Sequence, residues 1–124
     1  MEAGALGKVY RNGETILRQG EVGDCLYVIQ SGRVEVLHER DGKAVQLVVL
    51  GEGETFGEIA LLERGTRSAT VRALGEVRVL TLDKRTILRR IHEDPSLVFR
   101  TMQGMARRIR ELSAELARIK HADQ

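Results

Sequence analysis

Four residues in one short stretch carry groups suited to binding chemistry: Gly57, Glu58, Arg67 and Ser68. They lie in the run Phe56 to Ala73, which reads Phe-Gly-Glu-Ile-Ala-Leu-Leu-Glu-Arg-Gly-Thr-Arg-Ser-Ala-Thr-Val-Arg-Ala. A glycine lets the backbone approach a ligand closely. The residues after Glu58, namely Ile59, Ala60, Leu61 and Leu62, suit a single helical turn whose free amides favour an anion. A carboxylate at the start of an anion-binding turn makes sense for a nucleotide, whose phosphate meets the amides while a ribose hydroxyl donates to Glu58. Arg67 adds a planar charged fork that matches two phosphate oxygens together. Ser68 offers a hydroxyl to phosphate or base. Read in isolation, a Glu and an Arg nine residues apart are also compatible with ordinary solvated surface charges.

The elements that position this stretch follow from the spacing of apolar residues. From Val9 to about Leu82, glycines punctuate short β-rich runs, the pattern of a sandwich or barrel of short strands. Leu26 to Ile29 is β-branched and aromatic, Ser31-Gly32 is expected to turn it, and Val34 and Val36 alternate with charged residues. Asp41-Gly42 is a hairpin signal, after which Val45, Leu47 and Val49 keep the period of two. Ala69, Val71, Ala73, Val77 and Val79 continue it. The expectation is a mainly β fold with flanking helices: a jelly-roll-like roll of about eight strands over residues 9–82.

Beyond Leu82 the period changes. Lys84 to Glu93 has helical spacing, and Asp94-Pro95 reads as an N-cap with proline at the first helical position. Val98, Met102, Met105, Ile109, Leu112, Leu116 and Ile119 then repeat at alternating steps of four and three, a coiled-coil seam. Two readings fit this long C-terminal helix: packing on its own roll, or self-association into a homodimer, favoured because the seam runs to the end of the chain. The C-terminal helices are expected over about 84–120.

A chain of 124 residues fits one domain, 1–124. Its formal charge of +2 gives no broad basic field, so direct binding to nucleic acid or an anionic membrane is not expected. With no Trp and only Tyr10, Tyr27, Phe56 and Phe99 as aromatics, there is no stacking platform for single-stranded bases. No apolar run approaches the roughly 20 residues of a spanning helix. A single cysteine, Cys25, and no secretory signal point to the cytoplasm. Cys25 is expected to be a small core residue rather than a nucleophile. His38, His92 and His121 are scattered and no carboxylates cluster at ligand spacing, so neither a metal site nor a catalytic triad is expected. Arg107, Arg108 and Arg110 read as a solvated helix face.

The order of residues in Phe56 to Leu62 and Arg67 to Ala73 resembles the phosphate-binding cassette of the cyclic nucleotide-binding domain family. The resemblance extends to Gly20-Glu21-Val22-Gly23-Asp24, to Leu26 to Val36, and to Gly51-Glu52-Gly53-Glu54. It implies a non-catalytic regulatory module without a cofactor, whose ligand is cyclic AMP, with cyclic GMP as the other candidate, and whose C-terminal helix relays occupancy to an effector protein. It also implies a role for each site residue. Glu58 takes the ribose 2'-hydroxyl, the Ile59 and Ala60 amides and Arg67 hold the cyclic phosphate beside Gly57, and Ser68 supports phosphate or base. Val36, Leu47 and Leu50 form the apolar wall. In relatives whose matching helix pairs in a dimer, that helix supplies polar side chains to adenine. Here Leu112 stands at the position of a base-contacting threonine, followed by Ser113. Other expectations weighed are a dimerisation or docking module with a vestigial pocket, and the sensor part of a transcription regulator without its DNA-binding domain.

Overall fold

The structure is a computed structural model that describes residues 7–58 and 66–122. One compact unit runs through the strands to Thr86, and a second starts at Ile87. Six strands form the first: β1 (Lys8–Tyr10), β2 (Thr15–Leu17), β3 (Cys25–Arg40), β4 (Lys43–Leu50), β5 (Thr55–Phe56) and β6 (Thr70–Asp83). All pairs are antiparallel. The sheet order is β1-β6-β3-β4, with β2 added to β6 and β5 to β3.

The two long strands are the spine, paired from Cys25 with Asp83 to Leu37 with Thr70. Their shared core explains their irregularity. Ile29 and Val34 on β3 are five residues apart and would face opposite sides of a regular strand, yet both belong to one buried cluster with Val71, Ala73, Val77 and Val79. Register shifts between Ile29 and Ser31 and between Ser31 and Arg33 bring both inward. Gly32 sits inside this bulge with φ 88°, and Gly75 on β6 has φ 75°. The expected turn at Ser31-Gly32 is thus a bulge within a continuous strand. Counted on either side of these irregularities, the six strands contain the eight β segments that the glycine punctuation suggested.

Asp41 and Gly42, with φ 53° and 77°, join Arg40 to Lys43 in a two-residue hairpin. Both positive φ values match the primed turn that follows strand twist. The period of two along β4 holds, with an outcome the spacing alone did not fix: Val45, Leu47 and Val49 are exposed, and Leu50 and Val48 face the core. A shift between Val36 and Leu37 likewise turns Leu37 inward.

After β6, α1 (Lys84–Glu93), whose first turn closes the first unit, leads to α2 (Ser96–Ala122) in the second. Asp83 caps α1 by accepting from Thr86 N at 2.8 Å. Asp94 caps α2, accepting from Ser96 N at 3.2 Å and from Ser96 Oγ at 2.5 Å, with Pro95 at the first turn as expected. These bonds, then the Arg100 guanidinium, hold the Asp94 carboxyl below its usual range. The seam residues Met102, Ile109, Leu112, Leu116 and Ile119 are exposed. Among the described residues, no helix is long and apolar enough to cross a membrane.

Gly32 and Gly13 provide a direct comparison, because both have positive φ. A Cβ at Gly32 would lie 2.4 Å from Glu76 O and 2.9 Å from Val77 Cα, whereas one at Gly13 meets nothing within 4 Å. Backbone cannot retreat from the bulge without breaking the β3–β6 pairing. Gly13→Ala should therefore lose only the left-handed penalty of about 1–2 kcal/mol. Gly32→Ala should lose about 2–5 kcal/mol, since strain and overpacking combine. Urea unfolding of both variants tests this; equal losses would show that the bulge is not a tight fit.

Candidate functional site

Arg67 is clamped at its backbone and buried at its side chain. Thr66 bridges Val22, Arg67 N donates to Glu21 O at 2.7 Å, and Gly20 N donates to Arg67 O at 2.8 Å. The turn over Gly20 to Val22 therefore orients the residue before β6 begins. The side chain folds inward and is 6 % exposed.

Among the described residues, several neutral groups border its guanidinium. Nη1 donates to Cys25 O and to Gly57 O, both at 3.0 Å, while Nη2 lies 3.6 Å from Cys25 Sγ. The Cζ atom stands 5.6 Å from the centre of the Tyr27 ring. Tyr27 in turn stacks on Phe56, with ring centres 5.0 Å apart and planes 12° from parallel. Burial pushes the Tyr27 phenol up to about 12, helped by a hydrogen bond to the Cys25 side chain and opposed by the charge of Arg67.

Two glycines make the space. A Cβ at Gly23 would fall 2.1 Å from both Cζ and Nε of Arg67, and one at Gly57 would fall 2.8 Å from Nη1. Gly57 also has φ 85°, a conformation that glycine adopts without penalty. Among the described residues, the charge of Arg67 is met by the carbonyls of Cys25 and Gly57, by the Cys25 sulfur and by the Tyr27 ring. Burying a cation in this way is costly unless a counter-charge arrives. The two Nη1 hydrogens are committed to carbonyls. The parallel fork made by Nε–H and Nη2–H is therefore the edge suited to two oxygens of one anion.

The structure brings Gly57 and Arg67 together. Glu58 follows the Gly57 carbonyl with helical backbone, half-buried and with Oε2 closed off from solvent. Ser68 is exposed on the bend after Arg67. Ile59 and Ala60 lie outside the described residues. Of the expected apolar wall, Leu50 is 2 % exposed in the core and Val36 packs against that core, whereas Leu47 is 53 % exposed. Leu112 and Ser113 are on α2, in the second unit. Among the described residues no group of His, Cys, Asp and Glu has metal-binding geometry.

The structure adds residues that spacing did not single out. Gly23, Cys25 and Tyr27 all border the guanidinium, and Cys25, expected as a core residue, is half-buried and turns both its carbonyl and its Sγ toward Arg67. The one available signal was positional: Gly23 and Cys25 flank Asp24 just before the strand that carries Tyr27.

Comparison with known proteins agrees with this architecture. The family model described as the cyclic nucleotide-binding domain matches residues 7–94. The cyclic AMP receptor protein of Thermus thermophilus is 36 % identical over 110 residues, 88 % of this chain and 51 % of that protein. A cAMP-dependent protein kinase regulatory subunit of Mucor circinelloides f. lusitanicus is 43 % identical over 88 residues, 70 % of this chain and 21 % of the subunit. The crystal structure of the Thermus thermophilus catabolite activator protein aligns with a TM-score of 0.78 at 34 % identity, covering 91 % of this chain and 54 % of that one. The chain thus spans about half the length of the bacterial relative and about a fifth of the kinase subunit. With the fold, the glycine-bounded Arg67 cage and the family model all in agreement, the chain belongs to the cyclic nucleotide-binding domain family.

Proposed function

We propose that this chain is a regulatory module that binds a cyclic nucleotide, cyclic AMP ahead of cyclic GMP, and performs no reaction of its own. The observation that carries the reading is Arg67: a residue 6 % exposed whose guanidinium is held by the carbonyls of Cys25 and Gly57. The preference for cyclic AMP rests on relatives whose names identify them as a cyclic AMP receptor and a cAMP-dependent kinase subunit.

In this reading the Nε–Nη2 edge of Arg67 takes two oxygens of the cyclic phosphate, aided by the amides of Ile59 and Ala60. Glu58 accepts from the ribose 2'-hydroxyl. Ser68 supports phosphate or base, and Val36, Leu47 and Leu50 border the sugar and base. Leu112 packs on either purine without telling them apart by hydrogen bonding, which leaves Ser113 as the polar group on that part of α2.

The whole chain acts as one domain, 1–124, in a soluble cytoplasmic regulator. Its output is a shift in a two-state equilibrium, set by the ligand's unequal affinity for the two states and passed through α2 to an effector protein. The seam on α2 pairs two copies. No direct contact with nucleic acid or membrane is part of this role.

Calorimetric titration of the purified chain with cyclic AMP and cyclic GMP tests the reading, and absence of heat and of any melting shift at millimolar ligand would sink it. Arg67→Leu should weaken binding by about 2–3 kcal/mol, since a charge-assisted pair of bonds is lost; unchanged affinity would remove Arg67 from the site. Replacing Leu112 with Asp places a charge in the seam and should yield a monomer by light scattering at concentrations where the parent is a dimer. A monomeric parent would contradict the homodimer.

A further inference from the structure

We propose that Tyr27 is a positioning residue for Arg67: its ring face fixes the tilt of the guanidinium, so ligand affinity depends on an aromatic ring at position 27 and not on its hydroxyl. The proposal rests on the reading of Arg67 as the phosphate-binding group.

The physical need arises from what the carbonyls leave undone. Nη1 is tied to Cys25 O and Gly57 O at 3.0 Å, but a carbonyl oxygen accepts over a broad range of angles. Two such bonds locate one nitrogen, and the contact of Nη2 with Cys25 Sγ at 3.6 Å adds only a weak sulfur acceptor, so the plane of the group is held loosely. A bidentate pair with phosphate needs that plane set in advance, because its two N–H bonds must run parallel. The Tyr27 ring, with its centre 5.6 Å from Cζ, supplies the missing restraint by the attraction of a cation to the ring face.

Tyr27 is anchored well enough to act this way. Its backbone pairs with Thr81 on β6 and with Phe56 on β5. The Phe56 ring, itself buried in the core cluster, lies nearly parallel to it at 5.0 Å. A Cβ added to Gly57 would meet Arg67 Nη1 at 2.8 Å and Tyr27 Cδ1 at 3.2 Å, so the glycine lets the guanidinium and the ring close on the same spot. The order is therefore core, Phe56, Tyr27, Arg67, with each layer supported by the one before. The contact with Arg67 is made over the ring and not through the hydroxyl. Removing it leaves the ring face against Arg67.

The test is a double-mutant cycle on the full chain, with cyclic AMP affinity as the readout. Tyr27→Phe should bind within threefold of the parent, and Tyr27→Leu should bind roughly tenfold more weakly, in keeping with a partly desolvated cation–ring contact. In an Arg67→Leu background, Tyr27→Leu should change affinity less than twofold. Three results overturn the proposal: Tyr27→Leu binding like the parent, Tyr27→Phe binding as weakly as Tyr27→Leu, or Tyr27→Leu losing the same factor with and without Arg67. The last would mark Tyr27 as a structural residue only.

A ligand-free measurement stands beside the cycle in case Tyr27→Leu does not fold. The Arg67 Nε–H proton, identified by its disappearance in Arg67→Leu, should resonate upfield of exposed arginines in the parent and in Tyr27→Phe. Coincidence with the exposed arginines overturns the ring contact. Failure of the parent to bind either cyclic AMP or cyclic GMP overturns the phosphate reading itself and with it the role of Tyr27 toward that ligand, while the Nε–H shift still reports whether the ring holds the guanidinium.

Discussion

Arg67 is a permanently charged group placed where water hardly reaches, and the surrounding chain is arranged to tolerate it. Two carbonyls, from Cys25 and Gly57, face one nitrogen. Two glycines at positions 23 and 57 leave out the side chains that would strike the guanidinium. The backbone on either side of the arginine is clipped to Glu21 and Gly20. None of these features makes sense as a remedy for a surface charge, which water would solvate at little cost. They make sense if the arginine must stay buried and oriented, because a cation in that condition has a strong demand for an anion.

The β3–β6 pair is what makes such a site possible. Cys25 and Tyr27 enter at the start of β3, and β6 begins three residues after Arg67. Because the two strands are antiparallel, the start of β3 pairs with the end of β6, at Asp83, and not with Thr70 where β6 begins. Arg67 reaches Cys25 because its backbone pairs with the turn over Gly20 to Val22, which leads directly into β3, while the bulge at Gly32 turns Ile29 and Val34 into one core. The core and the site thus both depend on β3. A straight β3 would split its apolar residues between two faces.

Much of this was legible in the sequence, for identifiable reasons. The Asp41-Gly42 hairpin and the Asp94-Pro95 helix start are local features whose residues dictate their own backbone. The heptad spacing on α2 and the glycine-bounded order around Glu58 and Arg67 are legible too. What escaped depends on register. Val45, Leu47 and Val49 alternate as a strand should, but alternation does not say which face is buried, and here it is Val48 and Leu50 that turn inward. Leu37 becomes buried because of a shift beside Val36 that no residue type announces. The same limit applies to Arg67: its spacing from Glu58 pointed to a phosphate, while its carbonyl partners lie 42 residues away at Cys25 and 10 away at Gly57.

Those separations also connect binding to folding. The bond from Arg67 to Cys25 closes a long loop, and forming such contacts costs chain entropy before they return stability. An anion that binds only the assembled cage would draw the equilibrium toward the folded roll by mass action, with a magnitude set by its concentration relative to its dissociation constant. The cage therefore couples occupancy to the cohesion of the turn over Gly20 to Val22, the start of β3 and the Gly57 turn at once. A group attached to one strand alone would lack that reach. Arg67 has it because the residue that offers its fork to a ligand also holds two segments through its side chain and a third through its backbone.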